Sequence, residues 1–137
     1  MKKTFALLLI MPALALMKCG PKKEKEDPEK VLYNQVMDIH DEVMPSMGEL
    51  NRLKRELTKK IENSPDMVEE KRREIEGTIL LVDSASRAMM VWMREFNPEE
   101  YADKEELRDY LEEEMKRVQN VKDLMLEALE KGREANQ

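Results

Sequence analysis

From residue 28 onward the apolar positions fall into three runs with helical spacing. The first comprises Leu32, Val36, Ile39, Val43, Met47, Leu50, Leu53, Leu57 and Ile61, whose steps of three and four make one stripe along a helix. Asp27 followed by Pro28 predicts where that helix starts, because the aspartate caps the first free N–H groups and proline at the first helical position has no N–H to leave unpaired. Pro45 falls inside the stripe. It removes the bond to the Asp41 carbonyl and clashes with it, at a cost of about 3 kcal/mol, so the helix must kink or break between Asp41 and Gly48. The stripe keeps its phase across the proline, which predicts a kink.

Asn63, Ser64 and Pro65 repeat the cap-and-proline signal and predict the end of the first helix and the start of the second. The second stripe runs Val68, Ile75, Ile79, Val82, Met89, Met93 and Phe96, widened by Leu80, Ala85, Ala88 and Trp92, until Asn97 and Pro98 stop it. Gly77 is a weak point within it. The third helix is expected from about Asp103, with Leu107, Leu111, Met115, Val118, Val121, Met125 and Leu129 on one face and fraying after Gly132. Acidic residues crowd its first turns, where they meet the positive end of the helix dipole.

Three amphipathic helices joined by short turns bury their stripes against one another. The predicted fold is all-α: three long antiparallel helices in an up-down-up bundle over residues 28–134, the first kinked at Pro45. The same stripes also suit a helical hairpin that pairs with a second copy as a coiled-coil assembly module. Composition agrees with helices: 39% of the 137 residues are charged and 4% aromatic, with 4 Gly, which excludes a β-sandwich or a dinucleotide-binding α/β fold. Lys and Arg number 24 against 30 Asp and Glu; setting aside Lys2, Lys3 and Lys18 leaves 21 against 30, a net −9 that argues against a nucleic-acid partner.

The first 20 residues, MKKTFALLLIMPALALMKCG, differ from the rest: two lysines, an uncharged, largely apolar run from Thr4 to Met17, then Cys19. This is the layout of an export signal. As a helix, Phe5 to Met17 would reach roughly 20 Å, short of the ~30 Å hydrocarbon core, so a permanent membrane span fits less well. Cys19 is the one cysteine of the chain, so no internal disulfide can form. An uncleaved signal anchor or a free thiol is the alternative reading.

The segment Met1–Gly20 resembles the signal peptides of bacterial lipoproteins, in which the apolar run ends at a cysteine that is lipidated and becomes the first residue of the mature chain. Leu16 occupies the usual aliphatic place, and Lys18 stands where a small residue is usual. The resemblance implies a signal peptide over 1–18, acylation of Cys19, a flexible tether over 19–27, and, with Gly20 in place of Asp, an address at the outer membrane of the bacterial cell envelope. Three acyl chains, each CH₂ contributing about 0.8 kcal/mol of burial, would make desorption very slow. From Gly20 to Asp27 the sequence has no apolar side chain beyond Pro21, which suits a solvated tether. The body is similar to small helical lipoproteins sometimes labelled "viral A-type inclusion protein", through MDIHDEVMPSMGEL at Met37–Leu50 and ASRAMMVWMREF at Ala85–Phe96. That likeness implies a class and a location, not a reaction.

Two clusters are candidates for function. Met37, His40, Met44 and Met47, spaced three, four and three, share one helical face and include the sole histidine. If the first hairpin closes near residues 63 and 64, Met37 faces Met90 and His40 faces Arg87 or Ala88. Thioether and imidazole together select Cu(I), so Met37, His40, Met44 and Met90 form a candidate copper site, set against core packing by flexible methionines beside a kink. Trp92, Phe96 and Tyr101, with Tyr110 and Tyr33, gather near the second turn, either as a plug closing one end of the bundle or as a patch for a protein partner.

The carboxylates from Asp103 to Glu114 read as a solvated face, with Leu107, Tyr110 and Leu111 pointing inward and Lys104 and Arg108 serving as partners within the same helix. Serines 46, 64, 84 and 86 have no evident histidine relay, and no glycine-rich loop is present to hold a phosphate. The expectation is a membrane-anchored envelope lipoprotein with a binding or structural role and without catalysis. Its partners would be the membrane through the lipid, and a protein or a second copy.

Overall fold

A computed structural model describes residues 27–137. The signal peptide expected over 1–18, Cys19 and the tether up to residue 26 lie outside the described residues. The described part is an all-α bundle of three long helical arms, the first made of two segments: α1 (Pro28–Val43) and α2 (Met47–Glu62), then α3 (Glu69–Glu95) and α4 (Lys104–Asn136).

Asp27 caps α1 as expected, its side chain accepting from the Glu29 N–H at 3.3 Å with Pro28 in the first turn. At Pro45 the chain tightens into one 3₁₀ turn, Met44–Ser46, with dihedrals that stay close to helical. The missing donor is thus absorbed without ending the rod. Val36, Val43, Leu50, Leu53 and Leu57 remain buried on one continuous face, so the stripe keeps its phase through this turn.

The second helix departs from expectation at both its start and its stripe. Ser64 and Pro65 do not open a helix: the Met67 N–H donates to the Ser64 carbonyl at 3.1 Å, and α3 begins only at Glu69 after extended Val68. Met67 in this turn packs on a small end cluster of Leu57, Ile75 and Ala135, so a tertiary contact sets the length of the connection. The face of α3 that is buried is Ile75, Val82, Ala85, Met89 and Trp92, whereas Val68, Leu80 and Met93 are exposed at 71, 68 and 41%. A bundle buries a narrower stripe than the count of apolar residues on this helix suggests.

Asp103 caps α4, its Oδ1 accepting from Glu105 N and Glu106 N at 2.9 and 3.1 Å. The helix does not fray after Gly132. It continues to Asn136, with Gly132 buried against α2 and α3: a Cβ there would lie 2.9 Å from Leu53 Cδ1 and 3.4 Å from Val82 Cγ2. Glycine at this position lets three helices approach closely.

Polar pairs show the direction of the arms. Asp27 meets Lys104, Glu29 meets Arg108, Glu42 meets Lys122 and Glu49 meets Arg133, so α1 and α2 run parallel to α4 with nearly constant register. Lys54 on α2 meets Asp83 on the antiparallel α3. The segment α1 lies mainly along α4, while α2 packs on both α3 and α4. Lys104 and Arg108 therefore reach across to the start of α1, not along their own helix as the sequence suggests. The main core joins Val36, Val43, Leu50 and Leu53 to Val82, Met89, Trp92, Leu111, Val118, Met125 and Leu129. No described helix is long and apolar enough to cross a membrane.

Candidate functional site

The end of the bundle where α1 begins, α3 ends and α4 begins contains a column of aromatic rings with buried polar groups on its flank. Trp92 on α3 and Phe96, the residue that caps its C-terminus, stack at 5.0 Å between centroids with planes 23° apart. Phe96 continues to Tyr110 at 6.0 Å, and Tyr110 to Tyr101 at 4.4 Å, both stacked. Tyr33 from α1 covers Phe96 at 6.0 Å. On the inner side of Trp92 lies His40, its ring centroid 5.6 Å from the indole and tilted by 32°.

Trp92 is only 3% exposed, Phe96 and Tyr101 are half-buried, and Tyr33 is 39% exposed. Of the residues proposed as a partner patch, the tryptophan is therefore part of the interior. Tyr101 alone among them borders an acidic surface notch, which it shares with Glu106, Asp109, Tyr110 and Glu113. The Tyr110 hydroxyl accepts from the Asn97 N–H at 2.7 Å and so ties the second turn to α4. Burial pushes the pKa of this phenol up, against the lowering effect of that bond.

Polar groups on the flank of the column satisfy one another. The Trp92 Nε1–H donates to Glu114 Oε2 at 2.8 Å, and Arg117 Nη1 donates to Glu114 Oε1 at 2.6 Å. Arg117 also bonds Glu95 at 2.7 Å, and its guanidinium pKa is raised first by that carboxylate and then by Glu114. Glu114 is 2% exposed and is, with Glu29 and His40, one of three buried polar residues among the described ones. Glu29 is held by Arg108 at 2.6 Å. Sequence reasoning placed Glu114 on the solvated face and overlooked Glu29. The available signal was spacing: Glu114 follows Leu111 by three and precedes Val118 by four, inside the apolar stripe.

The methionine and histidine cluster is only partly assembled. Met37, Met44 and Met47 are half-buried against the core, and the Met44 N–H donates to the His40 carbonyl, so helical spacing from His40 persists through the turn. Met90 is turned outward at 53% exposure, while its neighbour Met89 is fully buried. The longer turn between α2 and α3 explains the change. His40 meets Trp92, about one helical turn beyond the expected Arg87 or Ala88.

His40 itself is 8% exposed. Its Nδ1 lies 2.8 Å from Asp41 Oδ1, whereas Nε2 is buried without a partner. Among the described residues no three His, Cys, Asp or Glu side chains gather around one point. The chemistry on offer at this place is a buried ring nitrogen and an aromatic face, with thioethers three residues before and four after the histidine on its own helical face. Comparison with family models, with curated proteins and with solved structures finds no match.

Proposed function

We propose that this chain is an acyl-anchored lipoprotein of the bacterial envelope whose helical bundle has a binding or structural role and performs no catalysis. The observation that carries the reading is the uncharged run from Thr4 to Met17 ending at the sole cysteine, Cys19. Asp27, the first described residue, pairs with Lys104 at the aromatic end, so the chain enters the bundle at the end that carries Tyr33, Tyr101 and the acidic notch. A protein partner would be met there, close to the membrane surface.

Mass spectrometry of the protein from its native host tests the reading. The expected N-terminus is Cys19 carrying diacylglycerol and an amide-linked acyl chain. Retention of Met1 without added fatty acid overturns it.

Self-association is the second reading, favoured by apolar side chains left on the outer face of α3, where Leu80, Ala88 and Val91 line an open notch together with Asp83, Ser84 and Arg87, and Met90 is exposed. Sedimentation of the protein in detergent separates the two: a mass that stays at one copy across concentrations removes it.

A further inference from the structure

We infer that His40 is the anchor of a soft-cation site, binding Cu(I) through Nε2 together with the thioethers of Met37 and Met44 beside the face of Trp92. Such a site goes beyond the anchoring role and does not depend on it.

The tautomer of His40 is fixed by its neighbour. Nδ1 lies 2.8 Å from a carboxylate oxygen of Asp41, and an ionised carboxylate only accepts, so Nδ1 carries the proton. In the neutral ring Nε2 then holds a lone pair. That lone pair is buried and has no protein donor, an arrangement that is unfavourable in a folded interior unless a partner arrives. A carboxylate behind the far nitrogen is also what orients a metal-ligating imidazole and strengthens it as a donor.

The surroundings decide which partner fits. A water needs several polar partners, whereas Nε2 is buried with no protein polar group in hydrogen-bonding reach and the ring faces an indole. Zinc or a hard divalent ion needs further His, Cys or carboxylate ligands, and among the described residues no such group of three gathers. Thioethers are different. Met37 and Met44 stand three before and four after His40, on the same face of the helix, and both are half-buried there. Thioether and imidazole donors favour Cu(I) among biological metals. The Trp92 ring, 5.6 Å from the imidazole, adds an electron-rich surface that attracts a cation in a dry site. Met90, exposed on the outside of α3, is not part of this set.

Trp92 is the one tryptophan of the chain and reports on the site directly. Full-length protein in detergent, with Cys19→Ser so that no thiol competes and acylation plays no part, is titrated anaerobically with Cu(I) against a chromophoric chelator. The expected result is one Cu(I) per chain with quenching of Trp92 emission to the same end point. His40→Gln is expected to weaken binding by at least about 100-fold, and Asp41→Asn by about 10-fold through loss of ring orientation. A Met37→Leu/Met44→Leu double variant, which keeps apolar volume, is expected to lose most of the affinity with an unchanged far-UV circular dichroism spectrum. Absence of stoichiometric binding, or binding indifferent to His40→Gln or to the methionine pair, overturns the proposal. None of these outcomes bears on whether Cys19 is acylated.

Discussion

The indole N–H of Trp92 donates to the carboxylate of Glu114 across 2.8 Å, and both side chains are almost completely removed from solvent. A buried carboxylate persists only where it is hydrogen-bonded and paired, and Trp92 and Arg117 each donate to one of its two oxygens. Trp92→Phe keeps the ring stack on Phe96 but removes the donor. It is expected to destabilise the bundle by about 1–3 kcal/mol, beyond which lost volume adds further cost. Urea unfolding followed by far-UV circular dichroism, run as a double-mutant cycle with Glu114→Gln, reads the coupling; additive effects of the two variants would contradict it.

Burial of the same indole makes an optical prediction. Emission of the native protein should be blue-shifted and resistant to acrylamide, then shift to the red on unfolding in urea. An emission maximum typical of full exposure in the native state would contradict a tryptophan that closes the end of the bundle.

Two glycines on different helices should respond oppositely to the same change. At Gly77 an added methyl group would have nothing within 4 Å, so Gly77→Ala gains helix propensity and stabilises by about 0.5–1 kcal/mol. Gly132→Ala gains the same propensity but drives a methyl to 2.9 Å from Leu53 Cδ1, and Leu53 is itself fully packed. Overpacking of this kind costs about 1–3 kcal/mol, so the second variant is expected to be neutral to destabilised. Thermal melts of the pair test this, and equal stabilisation by both would show that the α2–α4 contact is looser than that distance implies.

Acid should weaken the bundle through its inter-helix ion pairs. Arg133, hydrogen-bonded to Glu49, holds that carboxyl below its usual range, with Arg52 adding to the effect. Asp83 is lowered in the same way by Lys54 and then by Arg87. Because the folded-state values are depressed, the contribution of these carboxylates is complete above the ordinary carboxylate range and is lost as the pH falls below about 4. These groups are open to solvent, so the effect is small and screened by salt. The urea midpoint should fall between neutral pH and about pH 2, and it should fall less steeply in Glu49→Gln/Asp83→Asn. An identical slope in that variant would assign the acid sensitivity to other carboxylates.

Local chemistry and hydrophobic periodicity carry much of this fold in the sequence itself. Asp27 with Pro28, Asp103 before an acidic first turn, and Asn97 with Pro98 act within a few residues of where they stand, and each marks an observed helix boundary. The kink at Pro45 is equally local, since the missing N–H and the continuous stripe are both properties of one segment. What local signals leave open is how far a connection extends before the next helix begins. Packing of Met67 on Leu57, Ile75 and Ala135 decided that, and the resulting shift carried His40 past Arg87 to Trp92 and left Met90 outside.

The interior of the site was decided the same way. Glu114 and Gly132 read locally as a solvated acid and a helix end, and both are core positions because another helix arrives with the complementary group: an indole N–H for the carboxylate, a leucine side chain for the missing Cβ. Hydrophobic periodicity identifies the faces that must be covered, since it depends only on the repeat of one helix. Which polar atoms are buried with them, and which are left without a partner, depends on the rotation and register of two or three helices against each other, and those are set by the sum of side-chain contacts across the whole bundle.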